Sequence, residues 1–317
     1  MMYAYIPQPG RAAKLELTQN LAEALWIDLM VPTEDEVRKL AALGIEVPSL
    51  ADMEEIEISN RLYRENDCDY MTAVLPGERA DGSRAAMPVC FILAATRLVT
   101  VRHHSPRPFL TYPERAGQAI LGCATVDRLF VGLLEDIVAR LADIFETSGR
   151  MLDETASGLF DRRSHGNRLH LALRSVVNEA EQVSRVRVAL LTIERILAFY
   201  LSILEDRPEG NKLNPVVQSQ IRDVQALEVH ADFLSSRIGL IVDTTLGMIN
   251  LEQSNTVRIL SVIAALFLPP TLIASIYGMN FDDMPELHMA WGYPMALGLM
   301  LVTVVATWLI LRWKKWL

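Results

Sequence analysis

The chain has 317 residues, a hydrophobic content of 51% and a formal net charge of −9. That length suits about two domains, and the acidic balance argues against nucleic acid as a partner, because neutralising phosphates takes clustered Lys and Arg. Residues 251–317 hold four acids and four bases, which sum to zero, so the first 250 residues carry the whole −9.

The stretch from Met1 to Leu17 has no basic region followed by an apolar run. No cleavable signal is expected, and the soluble part is expected to face the cytoplasm. Strand signals occupy Leu25–Leu29, Tyr70–Leu75, Val89–Ala94 and Leu98–Arg102. Pro76 to Arg84 reads as a loop turning at Asp81-Gly82. A helix is predicted from Glu34 to Leu43, because Thr33 and Glu36 make a capping box. Residues 1–125 therefore read as an α/β domain with a mostly antiparallel or mixed sheet. No glycine-rich phosphate loop is present. Cys68, Cys90 and Cys123 lack CxxC spacing and read as reduced, buried thiols. His103-His104 has no catalytic motif around it and reads as a packing or surface pair.

Residues 126–250 read as a long-helix stalk. Leu129, Leu133, Ile137 and Leu141 recur every fourth residue, and Val183, Val186, Leu190, Ile193 and Leu197 at threes and fours. Breaks are predicted at Ser164–Asn167 and Arg207–Pro215. From Val216 to Tyr277 a single helix of about 62 residues, or roughly 93 Å, is predicted.

Residues 251–317 read as a two-span membrane domain. Leu260 to Tyr277 and Met289 to Leu311 carry no charge, and each is long enough for a hydrocarbon core that takes about 20 helical residues. A pair of buried core helices is the alternative. Arg258 precedes the first span, and Arg312, Lys314 and Lys315 follow the second. The acids Asp282, Asp283 and Glu286 occupy the loop between them. The positive-inside rule then puts both termini in the cytoplasm. Two spans cannot enclose an aqueous path, so transport would require an oligomer. Pro269-Pro270 withholds two amide donors from Ala265 and Leu266, which marks either a kink or a face turned to protein or water.

Stepping by four and three along the first span gives Asp243, Gly247, Asn250, Ser254, Val257, Ser261, Ala264, Leu268, Thr271 and Ser275. Such a stripe of small and polar residues suits close helix packing or a water-filled axis with apolar constrictions at Val257 and Leu268.

The first span ends in Tyr277-Gly278-Met279-Asn280-Phe281. MPEL (284–287) and WGYP (291–294) follow in order before the second span. With Phe267-Leu268-Pro269-Pro270-Thr271 and the closing Lys314-Lys315-Trp316-Leu317, the chain resembles the CorA family of magnesium and cobalt transporters over its full length, its proteobacterial branch in particular. The resemblance implies an inner-membrane homopentamer. It implies a helical funnel below the bilayer, the first span lining the pore, and Gly278, Met279 and Asn280 as a neutral selectivity ring. Glycine at 278 would let the chain leave helical geometry there. Asp282, Asp283 and Glu286 would gather cations, and Arg312, Lys314 and Lys315 would form a basic collar. Mg2+, with Co2+ and Ni2+, is the implied cargo. Cytosolic Mg2+ held at Glu54, Glu55 and Asp223 would close the pore. Ser254 departs from the Asn often found there in relatives, which puts a second amide ring in doubt. Zn2+ transport, as in the ZntB branch, is the rival on the same scaffold, although no His or Cys lies on the stripe. No nucleophile–base motif supports an enzyme.

Overall fold

The computed structural model describes residues 1–7, 15–55, 57–118, 122–159, 166–279 and 284–316. They fall into two compact units, one from 1–161 and 173–241, the other from 162–172 and 242–317.

In the first unit the strands are β1 (Met2–Pro7), β2 (Leu15–Leu17), β3 (Trp26–Met30), β4 (Leu62–Glu65), β5 (Cys68–Glu78), β6 (Arg84–Leu93) and β7 (Leu98–Arg102). They form one sheet in the order β2-β1-β3-β7-β6-β5-β4. Only β3 and β7 run parallel, with Asp28 opposite Thr100. The mixed sheet matches the sequence expectation. The hairpin does not: β5 and β6 pair from Asp69↔Leu93 to Glu78↔Arg84, taking in Pro76, Gly77, Glu78 and Arg84, four of the nine residues of the predicted loop. Pro76 and Pro88 are tolerated inside these strands because each lies past the end of the flanking strand, β4 or β7. A missing N–H there costs no ladder bond on the open side.

One sheet face carries Ile27, Leu29, Val99 and Val101 and packs against Leu40 of α1 (Glu34–Ala41) and Met53 of α2 (Leu50–Glu54). Thr33 and Glu36 form the expected capping box on α1. The short helix α3 (Ile58–Arg61) leads into β4. On the opposite face Trp26 and Phe91 meet Phe109 of α4 (Pro108–Arg115), and Phe91 meets Phe130 of α5 (Val126–Leu159) at 5.8 Å. The result is a three-layer α/β/α unit. Cys68, Cys90 and Cys123 are buried and joined by no disulfide among the described residues, and burial pushes the Cys90 thiol up to about 12.

Two buried polar networks tie the layers. Arg102 donates from Nη2 to Asp28 Oδ2 at 2.8 Å and from Nη1 to the His104 carbonyl at 2.8 Å. Asp28 also accepts from Thr100 Oγ1, which in turn accepts from Trp26 Nε1. Arg207 donates to Asp69 Oδ2 and Asp127 Oδ1, both at 2.8 Å, and Tyr200 donates to Asp127 Oδ1 at 2.9 Å.

His104 is buried and its Nε2 lies 2.8 Å from the Leu75 carbonyl, so Nε2 carries the proton. Burial pushes its pKa down to about 4. An unfolded histidine protonates near 6.5. Between those values the unfolded chain binds the extra proton, so stability is lost as the pH falls through that window. The expected loss is roughly 3 kcal/mol. Urea unfolding near neutral and near pH 4 should report it, and His104→Gln should remove that share of the acid sensitivity.

The long helices follow the predicted periods. Leu129, Leu133, Ile137 and Leu141 of α5 are all buried, as are Val183, Val186, Leu190, Ile193 and Leu197 of α6 (Gly166–Ile203). The predicted break at Ser164–Asn167 falls partly outside the described residues. The break near Arg207 is a short 3-10 turn at Leu204–Asp206. Helix α7 (Gly210–Tyr277) begins six residues before the predicted Val216. Its buried residues Leu213, Val217, Gln220 and Val224 recur at threes and fours.

The second unit holds the C-terminal part of α7 and α8 (Gly292–Trp313), with a 3-10 turn at Pro285–His288. Pro269 and Pro270 lie within α7, which continues to Tyr277. Helix α8 ends in a left-handed residue, Lys315 (φ 55), where the Trp316 amide donates to Leu311 and that of Lys315 to Arg312. This closes the last carbonyls of the helix.

Candidate ion pathway and regulatory site

A helix buried in a protein core hides its apolar residues, whereas a lipid-facing helix leaves them uncovered. In α7 and α8 the most apolar 18-residue windows are only 6% and 11% buried. Leu260, Phe267, Leu268, Leu301 and Val302 are each more than half exposed. A pair of buried core helices is thereby set aside, and both helices are long and apolar enough to cross a membrane.

The stripe residues Asp243, Asn250, Ser254, Val257, Ser261, Ala264, Leu268, Thr271 and Ser275 are all exposed on α7. None is covered by the chain's own second span. The hydroxyls of Ser261 and Thr271 donate to the carbonyls of Val257 and Phe267 at 2.8 and 2.7 Å. Their donors are thus used within the helix while oxygen lone pairs remain for water or a hydrated cation.

At the end of α7, Gly278 donates to the Ala274 carbonyl at 2.9 Å and Met279 to Ile276 at 3.3 Å. The chain leaves the α-helix here, since α7 ends at Tyr277. Gly278 is not among the described glycines with positive φ. A Cβ there would instead sit 3.0 Å from the Ala274 carbonyl oxygen, so close approach to the last helical turn favours glycine. Asn280, Asp282 and Asp283 lie outside the described residues. Glu286 is half-buried in the 3-10 turn. Arg312, Lys314 and Lys315 are exposed at the end of α8, with the Arg312 guanidinium 5.2 Å from the Trp308 ring centroid.

Glu54 and Glu55 close α2, and Asp223 lies on α7, all three exposed. The Glu55 carboxylate is held by the Asn60 amide. Among the described residues no three His, Cys, Asp or Glu side chains come together to hold a metal. Sequence reasoning missed Glu135, on α5. Burial, then Asp136, then Asp223 raise its pKa, so Glu135 and Asp223 feel each other's charge. The adjacent acids of α5 were visible in the sequence, but their proximity to α7 was not.

An α/β/α unit and two lipid-length helices, the first striped with small and polar residues, fit a two-span membrane protein built on a long helix. The chain belongs to the CorA-like Mg2+ transporter family, whose model matches residues 22–315. The magnesium transport protein CorA of Haemophilus influenzae is 31% identical over 320 residues, covering 100% of both chains. That of Salmonella typhimurium is 30% identical over 321 residues with the same coverage. Among solved structures, the complete CorA magnesium transporter from Methanocaldococcus jannaschii has a TM-score of 0.73 at 18% identity, covering 100% of this chain and 99% of that one. The ZntB cytoplasmic domain from Vibrio parahaemolyticus gives 0.55 at 11% identity, covering 78% of this chain and 98% of its own, a likeness of fold alone.

Proposed function

We propose that this protein carries Mg2+, with Co2+ and Ni2+ as related cargo, into the cytosol through the axis of an inner-membrane homopentamer with both termini inside. The observation that carries the reading is full-length similarity to magnesium transport proteins, together with an α7 stripe left uncovered by the chain's own helices. Mg2+ is small, prefers octahedral oxygen ligation and sheds water reluctantly. Hydroxyl and amide oxygens along the stripe suit an ion that keeps its water shell. The ring of Gly278, Met279 and Asn280 selects at the outer mouth, Asp282, Asp283 and Glu286 raise the local cation concentration, and Val257 and Leu268 form apolar constrictions. Arg312, Lys314 and Lys315 form the collar at the inner face.

Flux of Mg2+ into dye-loaded proteoliposomes, with Zn2+ in parallel, tests this. Mg2+ flux that falls as Mg2+ on the soluble-unit side rises is the expected result. Zn2+ flux with Mg2+ excluded would move the protein to the zinc reading. The absence of His and Cys from the stripe speaks against that outcome, because zinc favours nitrogen and sulfur ligands.

Regulatory Mg2+ is assigned to Glu54, Glu55 and Asp223 across subunit contacts, with Glu135 beside Asp223. Carboxylates suit this ion, and Glu135, whose pKa is raised first by burial and then by Asp136 and Asp223, would be favoured in its charged form by a nearby cation. Saturating Mg2+ should raise the thermal midpoint of the full-length protein, by an amount that corresponds to about 2.7 kcal/mol at a hundredfold excess over Kd. Asp223→Ala should lose most of that shift in differential scanning fluorimetry.

A further inference from the structure

A cavity of about 340 Å3 opens in the first unit, and four arginines line it: Arg84, Arg107, Arg140 and Arg185. Glu78 is the one acid among its described lining residues, and with Glu181 paired to Arg185 at 3.1 Å and Asp143 to Arg140 at 3.6 Å the cluster keeps a formal +1 (four less three) in a chain of −9. The four guanidinium groups come from β6, the segment before α4, α5 and α6. Only the fold brings them together.

The site is built rather than incidental. A Cβ on Gly77 would fall 2.6 Å from the His104 ring and 2.8 Å from the Pro106 nitrogen, so β5 can touch the 104–106 segment only through glycine. Glu78 and Ser105 exchange backbone hydrogen bonds of 3.2 and 2.8 Å. The His104 ring and Arg102 fix the same segment. Arg84 donates to Gln182 at 3.0 Å and Arg185 to the Arg84 carbonyl at 3.3 Å, which holds those two in place. The other two are under-partnered. Among the described residues Arg140 has only Asp143, at 3.6 Å, and the exposed Arg107 side chain has no ion pair or hydrogen bond.

We propose that this cavity binds a soluble phosphorylated small molecule. Planar guanidinium forks match phosphate oxygens in pairs. A space of this size lies at the lower end of small-molecule sites, which start at about 300 Å3. Leu110, Ile144 and Val186 give it an apolar wall for an organic part. The inference stands whatever ion the pore passes.

The test is calorimetric titration of purified full-length protein with inorganic pyrophosphate, in buffer already stripped of divalent cations so that chelation cannot mimic binding. Saturable binding is expected, weakened at least about tenfold in Arg107→Glu/Arg140→Glu and unchanged in Arg115→Glu, an exposed arginine outside the cavity. Glu78→Gln should tighten binding about twofold to threefold, as removal of one like charge does. Equal thermal midpoints without ligand establish that the variants fold. Short-chain phosphatidic acid serves as the lipid-headgroup arm, and binding of that compound without pyrophosphate would overturn the assignment of a soluble ligand. So would absence of saturable binding in wild type, or equal affinity in the charge-reversed variant.

Discussion

Replacing Asn280 with alanine is expected to cut Mg2+ flux by at least about tenfold while leaving the folded protein and its assembly intact. A hydrated divalent cation presents outward-pointing water hydrogens, and an amide oxygen accepts them without offering a full negative charge. Each lost hydrogen bond of this kind costs about 1 kcal/mol, and two lost in one ring already exceed a factor of ten. Asn280→Asp makes the complementary case. A carboxylate ring would hold the ion more tightly, raising apparent affinity while lowering maximal flux, because conduction needs sites an ion can leave. Proteoliposome flux over a range of external Mg2+ separates the two variants. Wild-type flux from Asn280→Ala would remove the selectivity role assigned to residues 278–280.

The second large effect concerns the Asp28–Arg102 pair. Both side chains are at most 2% exposed. Arg102→Met is expected to destabilise the first unit by roughly 3–5 kcal/mol, because it strands a carboxylate among Trp26, Thr100 and the aromatic layer. Asp28→Leu should cost a similar amount by stranding the guanidinium. The double variant should cost less than either alone, since removing both charges also removes their desolvation. Chemical unfolding of the four species in a double-mutant cycle measures the coupling. The single variants should also loosen the His104 segment, because Arg102 Nη1 holds its carbonyl.

How much of this was legible beforehand depended on the range of the interaction. The two spans could be read because lipid-facing helices need an unbroken apolar run. The faces of α5 and α6 could be read because helical burial has a fixed period. The capping box of α1 is local and was found. Strands β1, β2 and β4 were missed because they are short or flanking, with weak alternation; β4, for example, is the half-polar Leu62–Glu65. The hairpin was cut short at Pro76, a residue that breaks a central strand but not one with an open side. The Asp28–Arg102 pair depends on the parallel register of β3 and β7, 72 residues apart at Asp28 and Thr100, and no local pattern encodes that. The arginine cavity has the same character. At the end of α7 the motif order was informative, but the close contact at Gly278 was visible only in coordinates.

The two edges of the sheet bear on aggregation. One edge is β2, three residues long, and the other is β4, four residues long. Beyond β4, the bare half of β5 is partly occupied, since the Val74 amide donates to Thr192 Oγ1 of α6 at 3.0 Å. A long open edge invites a strand from another chain, whereas short and plugged edges resist it. A neighbouring chain is thereby denied strand-to-strand pairing along either edge.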